Sequence, residues 1–442
     1  MNEKAVEINK ESIEHWRDQK FGMFIHWGLF SVHPYGCWGM WSKQIDKETY
    51  KLYANDFTAE KFDATEWAKL AKDAGMKYMV LTTKHHDGFS LWDSKCCLDD
   101  FTSMNYGAKK DFVREYTDAC RDAGLMVGLY YSPLDWRFPG YFMPKLYKES
   151  ADALRKHAYN QLQELTTEYG KIDIMWFDGG EDYHVAHGAN FVTLSKAPDY
   201  KQNPLYPNFW HADKTDKMVR ENQKGIICND RIGQKQFGDY FCPEKKIGEF
   251  CIDHAWETCD CIAGDWCYTP GCKTRSLRSC IQLLVNVVVA GGNLLLNVGP
   301  KPDGTIEEEQ ANRLREMGEW LSKYGDSIYK TRGGPVKCDD WGGTTNRDNK
   351  MYVHICEWTA DEIIIPDTGN PEITCLTCQN PVIRKDNGKI FLSVDNESKQ
   401  AIDTIFELTY KEKVTDIFKD VIDYADLTNK KNEFTLSVNL GE

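Results

Sequence analysis

Between residues 20 and 330 the sequence alternates short apolar runs with longer amphipathic segments. The runs at 77–84 and 125–132 have the length and composition of buried strands, whereas the segments at 66–75 and 111–123 have helical periodicity. Parallel strands joined by crossover helices produce this alternation. About eight such strands fit the length of this region, which predicts an α/β fold with a (β/α)8 TIM-like barrel.

A doubly wound parallel sheet is the alternative arrangement of the same elements. The dinucleotide-binding version of that sheet carries a G-x-G-x-x-G sequence after its first strand. No such sequence follows the first predicted strand, at residues 21–28. The barrel is therefore the favoured architecture.

The pattern changes near Gly333. Beyond it the chain has short runs in which apolar and polar residues alternate, at 351–355, 362–366, 389–394 and 433–438. Turn residues separate these runs, as is typical of antiparallel sheets. The sequence therefore predicts two domains, a barrel over residues 1–335 and a C-terminal antiparallel β-sandwich over residues 336–442.

The bulk composition excludes several classes of partner. A net charge of −14 argues against nucleic acid, whose phosphates require a basic surface. The longest strongly apolar stretch, residues 281–290, is too short to span a membrane. No apolar stretch of signal-peptide length stands at the N-terminus, so we expect a cytoplasmic protein unless a leader has been removed. The sequence predicts no particular oligomeric state.

The 16 cysteines are expected to be mostly reduced in such a compartment. Two groups are candidates for a zinc site: the pair Cys375-x-x-Cys378, and the set Cys251, Cys259, Cys261, Cys267, Cys272 and Cys280. Their spacings do not form the paired C-x-x-C pattern, and free cysteine often packs as a small apolar side chain. We therefore expect neither a metal nor a cofactor.

One predicted strand, residues 172–177, ends on a carboxylate, Asp178, which two glycines follow. Burying an unpaired charge costs several kcal/mol, so we expect Asp178 to be presented at the rim of the sheet. The glycines allow a ligand or another backbone to come close. A turn or helix-capping role is the alternative for this aspartate.

Other predicted strands also end in polar or aromatic side chains, and the carboxyl ends of barrel strands carry the functional groups. Histidines that bond hydroxyls, tryptophans that pack on a sugar face and paired carboxylates are typical of a sugar pocket. In chain order these residues are His26, Trp27, His85, His86, Asp87, Tyr130, Tyr131, Asp135, Trp136, Trp176, Asp178, Asn229, Asp230, Arg231, Glu244, Trp256 and Glu257.

A metal site is the competing hypothesis for the same rim. His26, His85, His86 and Asp178 form a plausible ligand set for a metal-dependent hydrolase. Against it, the chain has neither a His-x-His at its first strand nor an H-E-x-x-H sequence.

Six segments together resemble glycoside hydrolase family 29, the α-L-fucosidases. The resemblance runs in order over about residues 12–330 and is highly specific as a combination. Its motifs are Phe21-Gly-Met-Phe-Ile-His-Trp-Gly28, Leu81-Thr-Thr-Lys-His-His-Asp-Gly88, Gly128-Leu-Tyr-Tyr-Ser132, Met175-Trp-Phe-Asp-Gly179, Trp256-Glu-Thr-Cys259 and Gly291-Gly-Asn-Leu-Leu-Leu-Asn-Val-Gly-Pro300.

The resemblance implies a retaining exo-α-L-fucosidase that removes terminal fucose from fucosylated oligosaccharides or glycoconjugates through a covalent glycosyl-enzyme. It makes Asp178 the nucleophile and Glu244 the acid/base, with Glu257 as the alternative. It also implies a fucose pocket, to which the strand ends add Tyr130: His26, His85, His86, Trp176, Arg231 and, against the C5 methyl group, Trp266. A fucose-binding protein without catalysis is the third hypothesis.

One motif departs from the family. Many members have Gly-Glu-Trp after the first strand, where this chain has Gly36-Cys37-Trp38. The missing carboxylate normally contacts sugar hydroxyls or helps in proton handling, whereas Trp38 is still expected to line the pocket. The loops at 139–147, 181–224 and 260–275 form the aglycone side, and the sequence does not predict their preference for a linkage.

Overall fold

A computed structural model describes residues 3–33, 35–186, 204–233, 235–247 and 250–419. Among these residues no helix has both the length and the apolar character that a bilayer crossing requires. The predicted strand at 433–438 and most of the first half of the loop at 181–224 lie outside the described residues.

The first 330 residues are organised by one sheet of seven parallel strands in the order β6-β4-β3-β2-β1-β9-β8. Two further short strands, β5 and β7, pair with each other. The strands are β1 (Phe21–Ile25), β2 (Tyr78–Lys84), β3 (Met126–Tyr131), β4 (Ile174–Phe177), β5 (Gly180–Glu181), β6 (Ile227–Cys228), β7 (Ile232–Gly233), β8 (Glu257–Cys261) and β9 (Asn293–Val298).

Helices precede the sheet and connect its strands, as the alternation in the sequence predicts. Several begin at a capping side chain, such as Asp63 or Ser276, and four of the described helices are closed by a glycine with positive φ: Gly75, Gly124, Gly170 and Gly291. The helices are α1 (Glu3–Gln19), α2 (Gly39–Ser42), α3 (Lys47–Leu52), α4 (Ala64–Asp73), α5 (Phe112–Asp122), α6 (Pro139–Phe142), α7 (Lys148–Glu168), α8 (Ala212–Asn222), α9 (Leu277–Val289) and α10 (Glu308–Tyr324).

The strands are buried on both faces, which explains their nearly continuous apolar runs. Met23 and Ile25 pack into the large core between sheet and helices, while Phe24 belongs to a separate cluster inside the curled sheet. Trp16, from α1, also lies in this inner cluster and is fully buried beside Tyr78, at the amino-terminal end of the strands. The inner face therefore has its own apolar floor.

The segment around Tyr240, one of the eight strands that the alternation predicts, is not a regular strand. It makes only isolated parallel bridges, from Asn229 to Tyr240, from Phe241 to Trp256 and from Glu244 to Cys259. Pro243 lies within it and has no N–H to donate to a ladder. The prediction of a mixed α/β fold with a parallel sheet and antiparallel sheets is confirmed, whereas the regular sheet has seven strands instead of eight.

The C-terminal part consists of two antiparallel sheets around a common apolar core. The orders are β10-β11-β12-β17-β14 and β13-β16-β15. The elements are β10 (Arg332–Gly333), β11 (Gly342–Arg347), β12 (Lys350–Ile355), β13 (Ile363–Pro366), β14 (Glu372–Cys375), β15 (Pro381–Asp386), β16 (Lys389–Val394), β17 (Thr404–Thr409) and the helix α11 (Val414–Phe418).

Two cysteines are exceptions to the expectation that the thiols are mostly reduced. Cys375 and Cys378 form a disulfide across a Cα–Cα distance of 5.6 Å, which is within the usual range for such a bond. Their thiols are therefore not free to bind a metal. The other 14 cysteines are free, in agreement with the expectation.

Candidate active site

A cavity of about 1250 Å³ opens at the carboxyl ends of the parallel strands. It is the place where the side chains at the predicted strand ends meet. Ten of the eleven residues predicted for the site line it: His26, Trp38, His85, His86, Tyr130, Trp176, Asp178, Arg231, Glu244 and Trp266. Glu257, the eleventh, is not among the lining residues.

Asp178 follows β4 directly, and its backbone N–H donates to the carbonyl of Tyr131 at 3.2 Å. Arg231 donates to Oδ1 at 3.0 Å and the hydroxyl of Tyr130 donates to Oδ2 at 2.9 Å. Burial alone raises the pKa of a carboxyl, but the Arg231 charge and the Tyr130 hydrogen bond outweigh it and hold the pKa of Asp178 below its ordinary value. The cavity therefore contains an ionised carboxylate with fixed orientation.

Arg231 connects Asp178 to the opposite wall of the cavity. The same Nη1 that bonds Asp178 lies 3.4 Å from Oε2 of Glu244, and Nη2 donates to the carbonyl of Cys242 at 2.9 Å. The guanidinium also lies over the ring of Trp176, 4.9 Å from its centroid. One cation thus orients both carboxylates relative to each other.

Glu244 lies on the irregular segment between β6 and β8, and its side chain is 45 % exposed. Because both carboxylates contact the same nitrogen of Arg231, the two contact distances together place Oδ1 of Asp178 and Oε2 of Glu244 within about 6.4 Å of each other. This bound accommodates the carboxyl separation of about 5–5.5 Å found in retaining glycosidases.

Three of the histidines that line the cavity, His26, His85 and His86, are held neutral. Burial lowers the pKa of His26 to about 4, and burial lowers the pKa of His85 and of His86 well below the ordinary value. Nδ1 of His26 lies 2.6 Å from the amide oxygen of Asn297, which assigns its proton to that nitrogen. Nδ1 of His86 lies 2.8 Å from the hydroxyl of Ser132. Neutral imidazoles suit hydrogen bonds to sugar hydroxyls.

The same residues include a possible metal-ligand set. Ligand atoms of His85, His86 and Asp178 all lie within 4.8 Å of one another. The Arg231 guanidinium, 3.0 Å from the Asp178 carboxylate, would repel a cation in that position. The electrostatics of this set therefore favour a polar neutral ligand over a metal ion.

Trp38 and Trp266 lie on two loops at the cavity. The ring of Trp38 is 38 % exposed and lies 5.3 Å from His86. The ring of Trp266 lies 5.0 Å from His26, and its carbonyl accepts a hydrogen bond of 2.6 Å from Asn297. Both tryptophans therefore contribute aromatic surface to the cavity wall.

Cys37 occupies the position of the family carboxylate but does not line the cavity. It is buried, and its backbone N–H donates to Sγ of Cys267 at 3.1 Å. A hydrogen bond to Cys267 and burial raise the pKa of the Cys37 thiol. This position therefore contributes packing between two loops and no charge.

Glu181 is a further carboxylate in the cavity wall that the sequence did not predict. It accepts a hydrogen bond of 3.1 Å from the hydroxyl of Tyr183 and lies 3.6 Å from Nε2 of His184. Burial opposes its ionisation, but His184 and Arg231 hold the pKa of Glu181 below its ordinary value. Its position directly after Asp178-Gly-Gly was the signal that could have identified it.

Glu257 lies at the start of β8, inside the sheet, and is 1 % exposed. Its Oε1 accepts from Nε1 of Trp176 at 3.0 Å and its Oε2 accepts from the hydroxyl of Tyr78 at 2.6 Å. Burial raises the pKa of Glu257 to about 7. The structure thus surrounds this glutamate with protein donors, whereas Glu244 faces the cavity.

The fold and the site define an α/β enzyme whose cavity, with its carboxylates, neutral histidines and exposed aromatic rings, suits cleavage of a glycosidic bond. The family model described as Alpha-L-fucosidase matches residues 1–326. The chain therefore belongs to the α-L-fucosidase family, and the resemblance found in its sequence is confirmed. It is accordingly a glycosidase.

Known members of the family match along most of the chain. The tissue alpha-L-fucosidase of Homo sapiens is 30% identical over 442 residues, which cover 91% of this chain and 90% of that protein. Alpha-L-fucosidase isoenzyme 1 from Paenibacillus thiaminolyticus superposes with a TM-score of 0.79 at 30% identity, over 92% of this chain and 100% of that one. A Thermotoga maritima alpha-L-fucosynthase in complex with alpha-L-Fuc-(1-2)-beta-L-Fuc-N3 gives a TM-score of 0.68 at 30% identity, over 90% and 96%.

Proposed function

We propose that the protein is a retaining exo-α-L-fucosidase that hydrolyses terminal α-L-fucosyl residues of fucosylated oligosaccharides or glycoconjugates. The observation that carries this proposal is the pair of carboxylates, Asp178 and Glu244, which share one nitrogen of Arg231 across the cavity. Family membership supports fucose as the sugar that is released, as does the fucosyl disaccharide in complex with the Thermotoga maritima relative.

Asp178 is the nucleophile of this reaction. Its ionised oxygen attacks the anomeric carbon of the fucosyl residue while Glu244, in its protonated form, donates a proton to the leaving glycosidic oxygen. The bond between the anomeric carbon and the aglycone oxygen breaks as the bond to Asp178 forms. Arg231 and Tyr130 keep the attacking carboxylate ionised and oriented until that moment.

Glu244 then acts as a base. It takes a proton from a water molecule, which attacks the same carbon and releases Asp178. Two displacements at one carbon give a product with the configuration of the substrate.

The remaining predicted residues hold the pyranose. His26, His85 and His86 are neutral and present ring nitrogens to the cavity, where they bond sugar hydroxyls. Trp176 lies at the inner wall, and Trp266 packs against the C5 methyl group. A terminal fucose fills only part of a cavity of about 1250 Å³, and the rest accommodates the first residues of the aglycone.

We also propose that the seven-stranded sheet is completed to an eight-stranded barrel by the segment at 240–244. The isolated bridges on its two sides, to Asn229 on one side and to Trp256 and Cys259 on the other, support this closure. In this arrangement Glu244 stands at the end of the sixth strand, on the same rim as the other site residues.

The test is the stereochemistry of hydrolysis. Proton NMR of an aryl α-L-fucoside during turnover should show the α-anomer of fucose first, and an initial β-anomer would overturn retention. The variant Asp178→Ala should lose about a thousandfold or more in kcat, and azide should then yield the β-fucosyl azide. Asp173→Asn, which changes a carboxylate at the opposite end of β4, is the matched control and should remain active.

The same assay separates the alternative functions. Fucose binding without turnover would support a binding protein, and loss of activity in EDTA would support a metal-dependent hydrolase. We expect turnover that EDTA leaves unchanged.

A further inference from the structure

The side chain of Glu257 is enclosed by two hydrogen-bond donors. Trp176 occupies one carboxylate oxygen at 3.0 Å and Tyr78 occupies the other at 2.6 Å. Neither oxygen is directed to the cavity, so the carboxyl has no contact with the glycosidic oxygen that an acid catalyst must reach. Its most direct connection to the reaction is the indole ring of Trp176.

That ring contacts both groups that donate to Asp178. The Arg231 guanidinium lies 4.9 Å from the centroid of the Trp176 ring, and the Tyr130 ring is stacked on it at 5.6 Å with an interplanar angle of 17°. Arg231 bonds Oδ1 and Tyr130 bonds Oδ2 of Asp178. A rotation of the indole would therefore displace both donors of the nucleophile together.

We propose that Glu257 is a positioning residue for catalysis, which fixes the indole of Trp176 and through it the two donors that orient Asp178. The inference rests on the proposed function, because Asp178 must be the nucleophile for the positioning to affect turnover. Glu257 itself touches neither sugar nor aglycone in this role.

The chemistry of the contacts explains why an acceptor with two oxygens occupies this place. An indole has one N–H and no acceptor, and a buried N–H without a partner is costly. Tyr78 donates to the same carboxyl group, and its hydroxyl has a second, longer contact of 3.5 Å with the carbonyl of Leu294. One carboxylate satisfies both donors and ties β8 to the start of β2, at Tyr78, and to β4, at Trp176.

The conservative variant Glu257→Gln distinguishes positioning from acid catalysis. The amide oxygen of glutamine still accepts from Trp176, and its NH2 group can donate to the hydroxyl of Tyr78. We expect E257Q to keep kcat/KM on an aryl α-L-fucoside within about fivefold of the wild type. Glu257→Leu, which has no acceptor, should lose about fiftyfold, mainly in kcat.

A double-mutant cycle tests whether Glu257 acts through Trp176. Trp176→Phe removes the indole N–H, so the acceptor has no further role in that background. The double variant should lose less activity than the product of the two single effects, by about tenfold. Strictly multiplicative effects would overturn the proposal.

The leaving group provides a second discrimination. A positioning defect in E257L should be equal for an activated aryl fucoside and for an unactivated fucosyl oligosaccharide, and azide should not restore it. Sparing of the activated substrate, or recovery in azide, would make Glu257 the acid/base and overturn the proposal. A folded E257Q as damaged as E257L would also overturn it.

A readout without turnover keeps this inference separate from the proposed function. In the full chain labelled with 15N-tryptophan, the Trp176 indole N–H, assigned by its absence in W176F, should exchange with solvent slowly in the wild type and in E257Q. In E257L it should exchange about tenfold faster or more. Equal exchange would overturn the positioning role, whereas an inactive wild type with this exchange pattern would overturn only the fucosidase proposal. Glu257→Met carries the same expectations if E257L does not fold.

Discussion

The two sides of the cavity are built in different ways. On the side of β1 to β4 regular parallel ladders end directly at His26, His85 and Asp178, so hydrogen bonds of the sheet fix each backbone. On the side between β6 and β8 a segment with single bridges carries Glu244, whose side chain is about half exposed. The proposed nucleophile, Asp178, therefore has a rigid support, whereas the proposed proton donor, Glu244, belongs to a segment with few backbone constraints.

This difference fits the two tasks. An attacking carboxylate requires a fixed distance to one carbon, which a sheet provides. A residue that first gives and later takes a proton must serve a leaving group and then a water molecule in the same place. If the two sides differ in function as they do in construction, substitutions on them should change activity in different ways.

Arg231 joins the two sides, so its loss should have the largest effect. For Arg231→Met we expect about a thousandfold lower kcat/KM, because a partly buried ion pair is broken and the carboxylate loses its orientation. The Arg231 charge then no longer opposes the effect of burial on the pKa of Asp178. That pKa should rise, so the acidic limb of the pH profile should move to higher pH.

The matched control is Arg275→Met, which removes a similarly buried arginine from its ion pair with Asp260 at 2.9 Å outside the cavity wall. It should leave the pH profile of kcat/KM unchanged. An unshifted acidic limb in the Arg231 variant would contradict the prediction.

Glu244→Gln should separate substrates by leaving group. A fucosyl oligosaccharide needs protonation of its leaving oxygen, and we expect a loss of about 10²–10³ in kcat for it. An activated aryl fucoside should lose less than about tenfold in the first displacement. Steady-state rates on a series of aryl fucosides of different leaving-group pKa measure this dependence.

Glu181→Gln is the control from the same cavity, because it changes a carboxylate that already has partners in Tyr183 and His184. The loss of activity in the Glu181→Gln variant should not depend on the pKa of the leaving group. If Glu181 shows the dependence and Glu244 does not, the acid/base assignment moves to Glu181.

The buried carboxyl of Glu257 should also make the free energy of unfolding depend on pH. Its pKa is raised from 4.5 to about 7, so the folded protein binds the extra proton in that window and the free energy of unfolding falls as the pH rises through it. Glu257→Gln does not titrate and should therefore gain up to about 3 kcal/mol relative to the wild type between pH 4.5 and pH 8.

Urea unfolding of both proteins at the two ends of this range provides the measurement. At each pH the difference in the free energy of unfolding between wild type and variant is taken. The pH dependence of groups that the two proteins share then cancels. A constant difference between wild type and variant would show that the carboxyl titrates normally.

Tyr130→Phe should have the smallest effect. It removes one hydrogen bond of 2.9 Å to Asp178 and leaves the Arg231 contact in place, so we expect about a tenfold loss in kcat. Tyr116→Phe removes a buried hydroxyl that donates to the carbonyl of Gly128 away from the cavity, and it should keep kcat unchanged. Equal kcat values for the two variants would contradict a role for Tyr130 at the nucleophile.

The regular side of the cavity could be predicted from the sequence because local patterns determine it. Apolar runs locate the strands, and the next residues, such as His26 and Asp178, must then lie at their ends. The irregular side could be predicted only in outline. Pro243 and the single bridges remove the periodicity that identifies a strand, although Glu244 does line the cavity.

Contacts between residues distant in the sequence were not predictable. Cys37 packs on Cys267, and Glu257 bonds Tyr78, across separations that no local pattern encodes. The disulfide between Cys375 and Cys378 was missed for another reason: this pair was considered only as a candidate metal site, and the expected compartment favoured reduced thiols.

The apolar floor formed by Trp16 determines the order of events in the cavity. This residue is fully buried and packs with Tyr78 and Tyr240 at the amino-terminal end of the strands, so in the described part of the chain the interior is filled at that end. Substrate, water and both products must then use the mouth at the carboxyl ends. In the proposed mechanism the aglycone therefore departs before water reaches the fucosyl-enzyme, and fucose, bound deepest, leaves last.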